Sequence, residues 1–151
     1  MDYTIRSLDF QYTSIYGGGC LVLEKVLQNN STIHTVNLPY NGIDDIGMKA
    51  LVRGLEKNRT VRSINLRGNK IMNSGGRSLS RCLLGKNHTL CNIDLSNNAL
   101  LLSVVHELKA TVSQRNSASQ SGTTLSIRLD GVHMFAGRRL THYVCTVEEY
   151  A

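Results

Sequence analysis

Five histidines and four cysteines carry most of the capacity of this sequence for acid–base, nucleophilic or metal chemistry. His34, His88, His106, His133 and His142 form no H-E-x-x-H pair, and neither a G-x-S-x-G turn nor a P-loop occurs. Cys20, Cys82, Cys91 and Cys145 lack C-x-x-C spacing, so a zinc site is not expected. Cys20 and Cys82 fall in segments of helical pattern, where a thiol fills space like a small hydrophobe. All four read as reduced thiols of an intracellular chain. The glycines of "YGGGC", Gly17, Gly18 and Gly19, resemble a phosphate loop at first sight. Gly19, however, stands 28 residues before Gly47 and 56 before Gly75, so a tight turn into a helix is the better reading. The expectation is no catalytic residue, no metal and no cofactor.

The remaining candidates are residues for binding other macromolecules. Lys25, Arg53 and Arg81 recur every 28 residues in a chain of net charge +6, a row suited to an acidic surface. Tyr12 and Tyr40 are also 28 apart, a pair of aromatics for a protein contact or for packing on one another. Such spacing requires a fold that brings every twenty-eighth residue side by side.

The apolar pattern supplies that fold. "IRSLDFQYTSI", "IHTVNLPYNGI", "VRSINLRGNKI" and "LCNIDLSNNAL" begin at residues 5, 33, 61 and 90 and share the form L-x-x-L-x-L-x-x-N-x-L. Within each, alternate residues point inward, such as Ile64 and Leu66, as a short strand requires. Asn41, Asn69 and Asn98 close the strands and form a ladder of side-chain amides between turns; Thr13 stands in their place in the first copy. Ala50, Leu51 and Leu55 then fall on one face at helical spacing. Gly19, Gly47 and Gly75 are small residues expected to let the helix approach the sheet. Asn30, Asn58 and Asn87 each begin an N-x-T motif, but all lie at one point of the repeat, in the turn entering the strand, so the repeat itself generates the motif.

With its 28–29 period and the "GMKALVRGL" helix after "LPYNGIDDI", the chain resembles the ribonuclease-inhibitor-like leucine-rich-repeat proteins over about residues 3 to 112. The resemblance implies an α/β solenoid with parallel strands concave and helices convex, stable only through stacking of neighbours. It also implies a non-catalytic protein-binding or scaffold module, a subunit of a larger intracellular assembly of cytoplasmic or cytoskeletal setting, the cilium included. Two rival functions are a nucleic-acid or ribonucleoprotein component using the basic row, and a GTPase-activating-type regulator. No functional residue of the latter can be placed here.

Residues 1–112 thus read as about four repeats. Residues 113–151 read as a loop, 113–124, and a β-containing cap. In the cap, 125–132 and 138–150 either pair as a hairpin, or Leu125–Leu129 adds a fifth parallel strand. Outward positions of the strands run Ser7, Thr35, Ser63, Asn92, then Asp9, Asn37, Asn65, Asp94, then Gln11, Pro39, Arg67, Ser96. They leave Arg67 as the one anchor of the kind that dominates interfaces. No apolar run is long enough to span a membrane, and the start "MDYTIRSLDF" shows no secretory signal. No N-terminal cap is evident. The edge strand, with Ile5, Leu8 and Phe10, is therefore expected to be covered by a protein partner.

Overall fold

A computed structural model describes residues 4–119 and 124–131. Five strands, β1 (Ser7–Asp9), β2 (Thr35–Asn37), β3 (Ser63–Asn65), β4 (Asn92–Asp94) and β5 (Ser126–Arg128), alternate with four helices, α1 (Tyr16–Asn29), α2 (Asp45–Lys57), α3 (Asn73–Gly85) and α4 (Leu102–Ala118). The strands form one parallel sheet in sequence order. The register aligns Leu8, Val36, Ile64, Ile93 and Ile127 in one inward row. Each parallel pair is bridged by a helix returning the chain across the core. Val36, Leu38, Ile64 and Leu66 are buried against Leu51, Leu55, Leu79 and Leu83 of the helices.

Polar groups inside the turns are paired as burial demands. Asn69 accepts from the backbone N–H of Asn41 and Ile43, both at 3.0 Å, and donates to the carbonyls of Leu38 and Leu66 at 2.9 and 2.8 Å. Asn41 and Asn98 repeat this bridge one repeat to either side. A second ladder lines the opposite rim. Asn58 and Asn87 are buried and donate to Leu27 O and Leu55 O of the preceding repeats, while their carbonyl oxygens accept from the turn entering the strand. The threonines of the same motifs complete it: Thr32 and Thr60 donate to Ile5 O and Ile33 O. The N-x-T pattern is thus the signature of a turn.

Helix starts are capped partly from the neighbouring repeat. Asp44 caps its own α2 at Gly47 N, 2.9 Å, as an N-cap residue does. Asp45, however, reaches forward to Met72 N and Gly75 N at the start of α3, and Asn73 reaches to Leu101 N before α4.

Two sequence expectations change. Of the small helix residues, Gly47 and Gly75 face the preceding helix, at Gly17 and Cys20 and at Asp45 and Met48, as well as Ile43 and Ile71 of their own turns, whereas Gly19 meets Ile15 of its own turn; Gly54 likewise abuts the α1 backbone at Glu24. The loop expected from residue 113 begins later, because α4 runs to Ala118. Its last turns have tertiary partners that composition does not reveal. Arg115 donates to Leu90 O, and Asn116 brackets Leu125 with bonds of 2.8 and 3.0 Å to its N–H and C=O. Residues 126–128 add the fifth parallel strand; 138–150, and with it the hairpin reading, lies outside the described residues.

Candidate functional site

The most distinctive surface is the exposed end formed by β1 and α1. Phe10 N–H and Arg6 C=O bond to β2, so by strand alternation the backbone groups of Ser7 and Asp9 face the open edge. Leu8 and Phe10 are half-buried, whereas their counterparts Val36, Leu38, Ile64 and Leu66 are buried, and Ile5 is 60% exposed. On α1 the contrast is sharper. Val22 and Val26 occupy the positions of Ala50 and Gly54, which in α2 are buried, Gly54 against the preceding helix. They are 63% and 37% exposed. Leu21, also exposed, stands where α2 and α3 carry Lys49 and Arg77. Sequence reasoning found Ile5, Leu8 and Phe10 but not the valines, because a valine in a helical pattern reads as core.

Tyr12 and Tyr40 stack, ring centroids 4.8 Å apart and 3° from parallel. Both have positive φ, 57° and 56°, as do Gly68 and Asn97 one and two repeats on. A Cβ on Gly68 would collide with the Tyr40 ring, so that ring is held between Tyr12 and the Gly68 backbone. Tyr12 is the outer plate, 69% exposed.

The convex row is less uniform than its spacing implies. Arg53 is tied to Glu24 of α1 by two bonds of 2.9 and 2.6 Å. That hydrogen bond lowers the Glu24 carboxyl below its ordinary range and raises the guanidinium. Lys25 and Arg81 are exposed. Arg53 and Arg81, with Lys49, Val52, Glu56, Ser78 and Lys86, line a shallow groove of about 470 Å³ between α2 and α3. Lys86 pairs there with Glu56 at 3.0 Å.

On the concave face Arg67 is exposed. The column Asp9, Asn65, Asp94 is engaged in turns, each accepting from the backbone N–H two residues on. A further column went unread in the sequence. Arg6, His34, Arg62 and Cys91 precede the paired residues Ser7, Thr35, Ser63 and Asn92, and their own 28–29 spacing was the available signal.

No group of three or more metal-ligating side chains occurs among the described residues, and none of their helices is long and apolar enough to cross a membrane. Burial pushes the Cys20 and Cys82 thiols up to about 12 and about 11, helped by Asp44 and Glu56 respectively. Neither is a nucleophile at neutral pH.

The Leucine Rich repeat family model matches residues 29–52 and 57–80. No curated protein matches the chain in sequence. Among solved structures, one described as Leiomodin-1 Actin-Binding Site 2 is similar at 21% identity and a TM-score of 0.70, covering 86% of this chain and 71% of its own. The tropomodulin C-terminal domain of Caenorhabditis elegans is similar at 14% identity and a TM-score of 0.67, covering 89% and 77%. At these identities the likeness is one of fold. With two repeats matched by the family model and the stacked architecture from β1 to β5, the fold is a leucine-rich-repeat solenoid.

Proposed function

We propose that this chain is a non-catalytic protein-interaction module that docks on its partner through the β1/α1 end. The observation that carries the proposal is the pair Val22 and Val26, exposed where the same positions of the next repeat are buried. Apolar side chains beside an open strand edge favour a protein over a nucleic acid or a small ligand. Leu21 extends the patch, and Tyr12 offers a flat aromatic plate beyond it. The subfamily resemblance remains part of the same reading, with the stacked repeats through β5 as the rigid support of the docking end; a division at residue 112 does not, because α4 runs through it. The setting is cytoskeletal. A leiomodin segment described by its actin binding has this fold, which makes actin the first partner to test, by analogy of fold alone.

Amide exchange tests the docking end. In dilute, isolated protein the amides of Ser7 and Asp9, which face the open edge, should exchange fast, and in the complex slowly. Slow exchange in the dilute monomer would show the end already closed and refute the proposal. Val22→Ser with Val26→Ser should abolish pelleting with actin filaments if actin is the partner. Pelleting unchanged by the pair would place the actin contact elsewhere.

A further inference from the structure

The concave face carries a second charged surface at the rim where the strands begin. The register sets Arg6, His34 and Arg62 side by side on successive strands. At about 4.8 Å per strand, Arg6 and Arg62 are rooted about 9.6 Å apart. Two other arginines near this rim have structural work. Arg59 donates to Glu56 O and Asn58 O at 2.8 and 3.0 Å, and Arg115 donates to Leu90 O at 2.7 Å. The Arg6 and Arg62 side chains, by contrast, are exposed and make no hydrogen bond or ion pair among the described residues. His34 Nδ1 lies 2.6 Å from Thr32 O. A carbonyl only accepts, so that nitrogen carries the proton, and Nε2 is left without a partner among the described residues.

Among the described residues the counter-charges lie elsewhere. No carboxylate occupies this column or the next, which holds Ser7, Thr35, Ser63 and Asn92. On the convex side Glu24 and Glu56 reach Arg53 and Lys86, whereas no carboxylate of the described residues pairs with Arg6 or Arg62 on the concave rim. The rim is also bounded. The acidic members of the sheet face, Asp9 and Asp94, lie further along the strands, with Asn37 and Asn65 between them.

We infer that this rim binds an acidic peptide segment, carboxylates over Arg6 and Arg62 and the rest of the chain against the serine, threonine and asparagine columns. An extended peptide carries same-face side chains about 6.7 Å apart. That falls between one and two strand spacings, within reach of flexible arginine stems. Guanidinium groups take carboxylates in paired bonds. A nucleic acid fits less well: a polyanion crossing the face meets Asp9 and Asp94, and neither column offers an aromatic ring for base stacking. The inference rests on the chain being a protein-binding module and concerns a surface other than its docking end.

The test is fluorescence anisotropy with the full chain at low ionic strength, using a labelled peptide of alternating glutamate and serine. Arg6→Gln with Arg62→Gln should weaken binding at least about tenfold, since paired charge contacts dominate such affinity. Lys49→Gln with Arg81→Gln on the convex side should change it less than about twofold, and so should Val22→Ser with Val26→Ser. Circular dichroism checks that each variant is folded; if the rim pair is not, Arg62→Gln alone should still weaken binding severalfold. Equal loss in the convex pair would mean that net charge alone attracts the peptide, and would overturn the inference. So would the absence of binding, or tighter binding of an oligonucleotide of equal charge. Loss confined to the valine pair would overturn the rim and leave the docking end standing. Loss confined to the rim pair supports the rim whatever the fate of the docking end.

Discussion

Replacing Asn69 by alanine should destabilise the fold several times more than replacing Thr13, although both hold the same place in the repeat. The Asn69 side chain is buried and bridges two consecutive turns. Its removal strands the N–H groups of Asn41 and Ile43 and the carbonyl of Leu38. Leu66 O is better placed, because Asn98 also donates to it at 2.9 Å. At ~1–3 kcal/mol for each buried group left unpaired, the two N–H groups alone imply ~2–6 kcal/mol. That is a large part of the ~5–15 kcal/mol that holds a domain of this size.

Thr13 is exposed, and its hydroxyl donates to Phe10 O at 2.7 Å. Phe10 O also accepts from Asn41 Nδ2 at 2.7 Å, so Thr13→Ala strands no buried group, and its loss should be ~0.5–1 kcal/mol. Urea unfolding followed by far-ultraviolet circular dichroism and by tyrosine fluorescence gives both values, with coincident curves confirming a single transition. Asn69→Asp sharpens the test. It keeps the accepting oxygen but turns a donor into a charge facing two carbonyls, and should be at least as damaging as alanine. Equal midpoints for the Asn69 and Thr13 variants would refute the reasoning.

Three further perturbations have defined outcomes. Gly68→Ala places a methyl group at φ 68° against the Tyr40 ring, so it should lower stability by about 1–2 kcal/mol and disturb the tyrosine stack in near-ultraviolet dichroism. Replacing Lys25, Arg53 and Arg81 together by glutamine should change stability by less than about 1 kcal/mol, because the only ion pair lost, Arg53 with Glu24, is exposed on the arginine side; a melting curve checks it. The Cys20 and Cys82 thiols are raised above the ordinary value of 9.0. The unfolded chain therefore ionises first, so stability from this source is complete below pH 9 and falls as pH rises above it. Denaturation at increasing pH measures the fall, and alkylation in the native state should reach Cys91 before either of them.

The repeat was legible because its apolar spacing fits neither a plain strand nor a plain helix, and only a stacked turn places Val61, Ile64, Leu66 and Ile71 in one core. The asparagine positions were legible for the same reason, since a polar residue at a fixed place among buried ones must be hydrogen-bonded. The end of α4 was not. Ser113 to Ala118 has the composition of a loop, and the helix persists through contacts of Arg115 and Asn116 that lie far along the chain. The convex row was legible as spacing but not as chemistry: nothing in the pattern shows that Glu24 reaches across to Arg53. Arg6, His34 and Arg62 were equally periodic. They escaped notice because they flank the strands, where exposed charge carries no penalty and leaves no mark on the apolar pattern.

Repeats also provide an internal comparison. Where a column keeps its residue type, as in Asn41, Asn69 and Asn98 or Asn58 and Asn87, the geometry shows a structural duty discharged identically each time. Where a column departs, the structural duty has lapsed or another has replaced it. Gly54 must be small because α1 presses on it, whereas Val26 has no such neighbour and is free to be large and apolar. Lys49 and Arg77 keep the outer face of their helices wet, whereas Leu21 at the same place does not. Tyr12 takes a left-handed turn position that Gly68 fills without strain, and its ring lies on Tyr40 with one face outward. The departures at Val26 and Leu21 fall in the first repeat, at the open edge of β1, whereas the tyrosine is shared with Tyr40 of the second. Among the described residues, six of the twelve exposed large apolar side chains, Ile5, Tyr12, Tyr16, Leu21, Val22 and Val26, fall in the first repeat, and the other six are spread from Tyr40 to Leu102 over the rest; that weighting supports the proposed docking end.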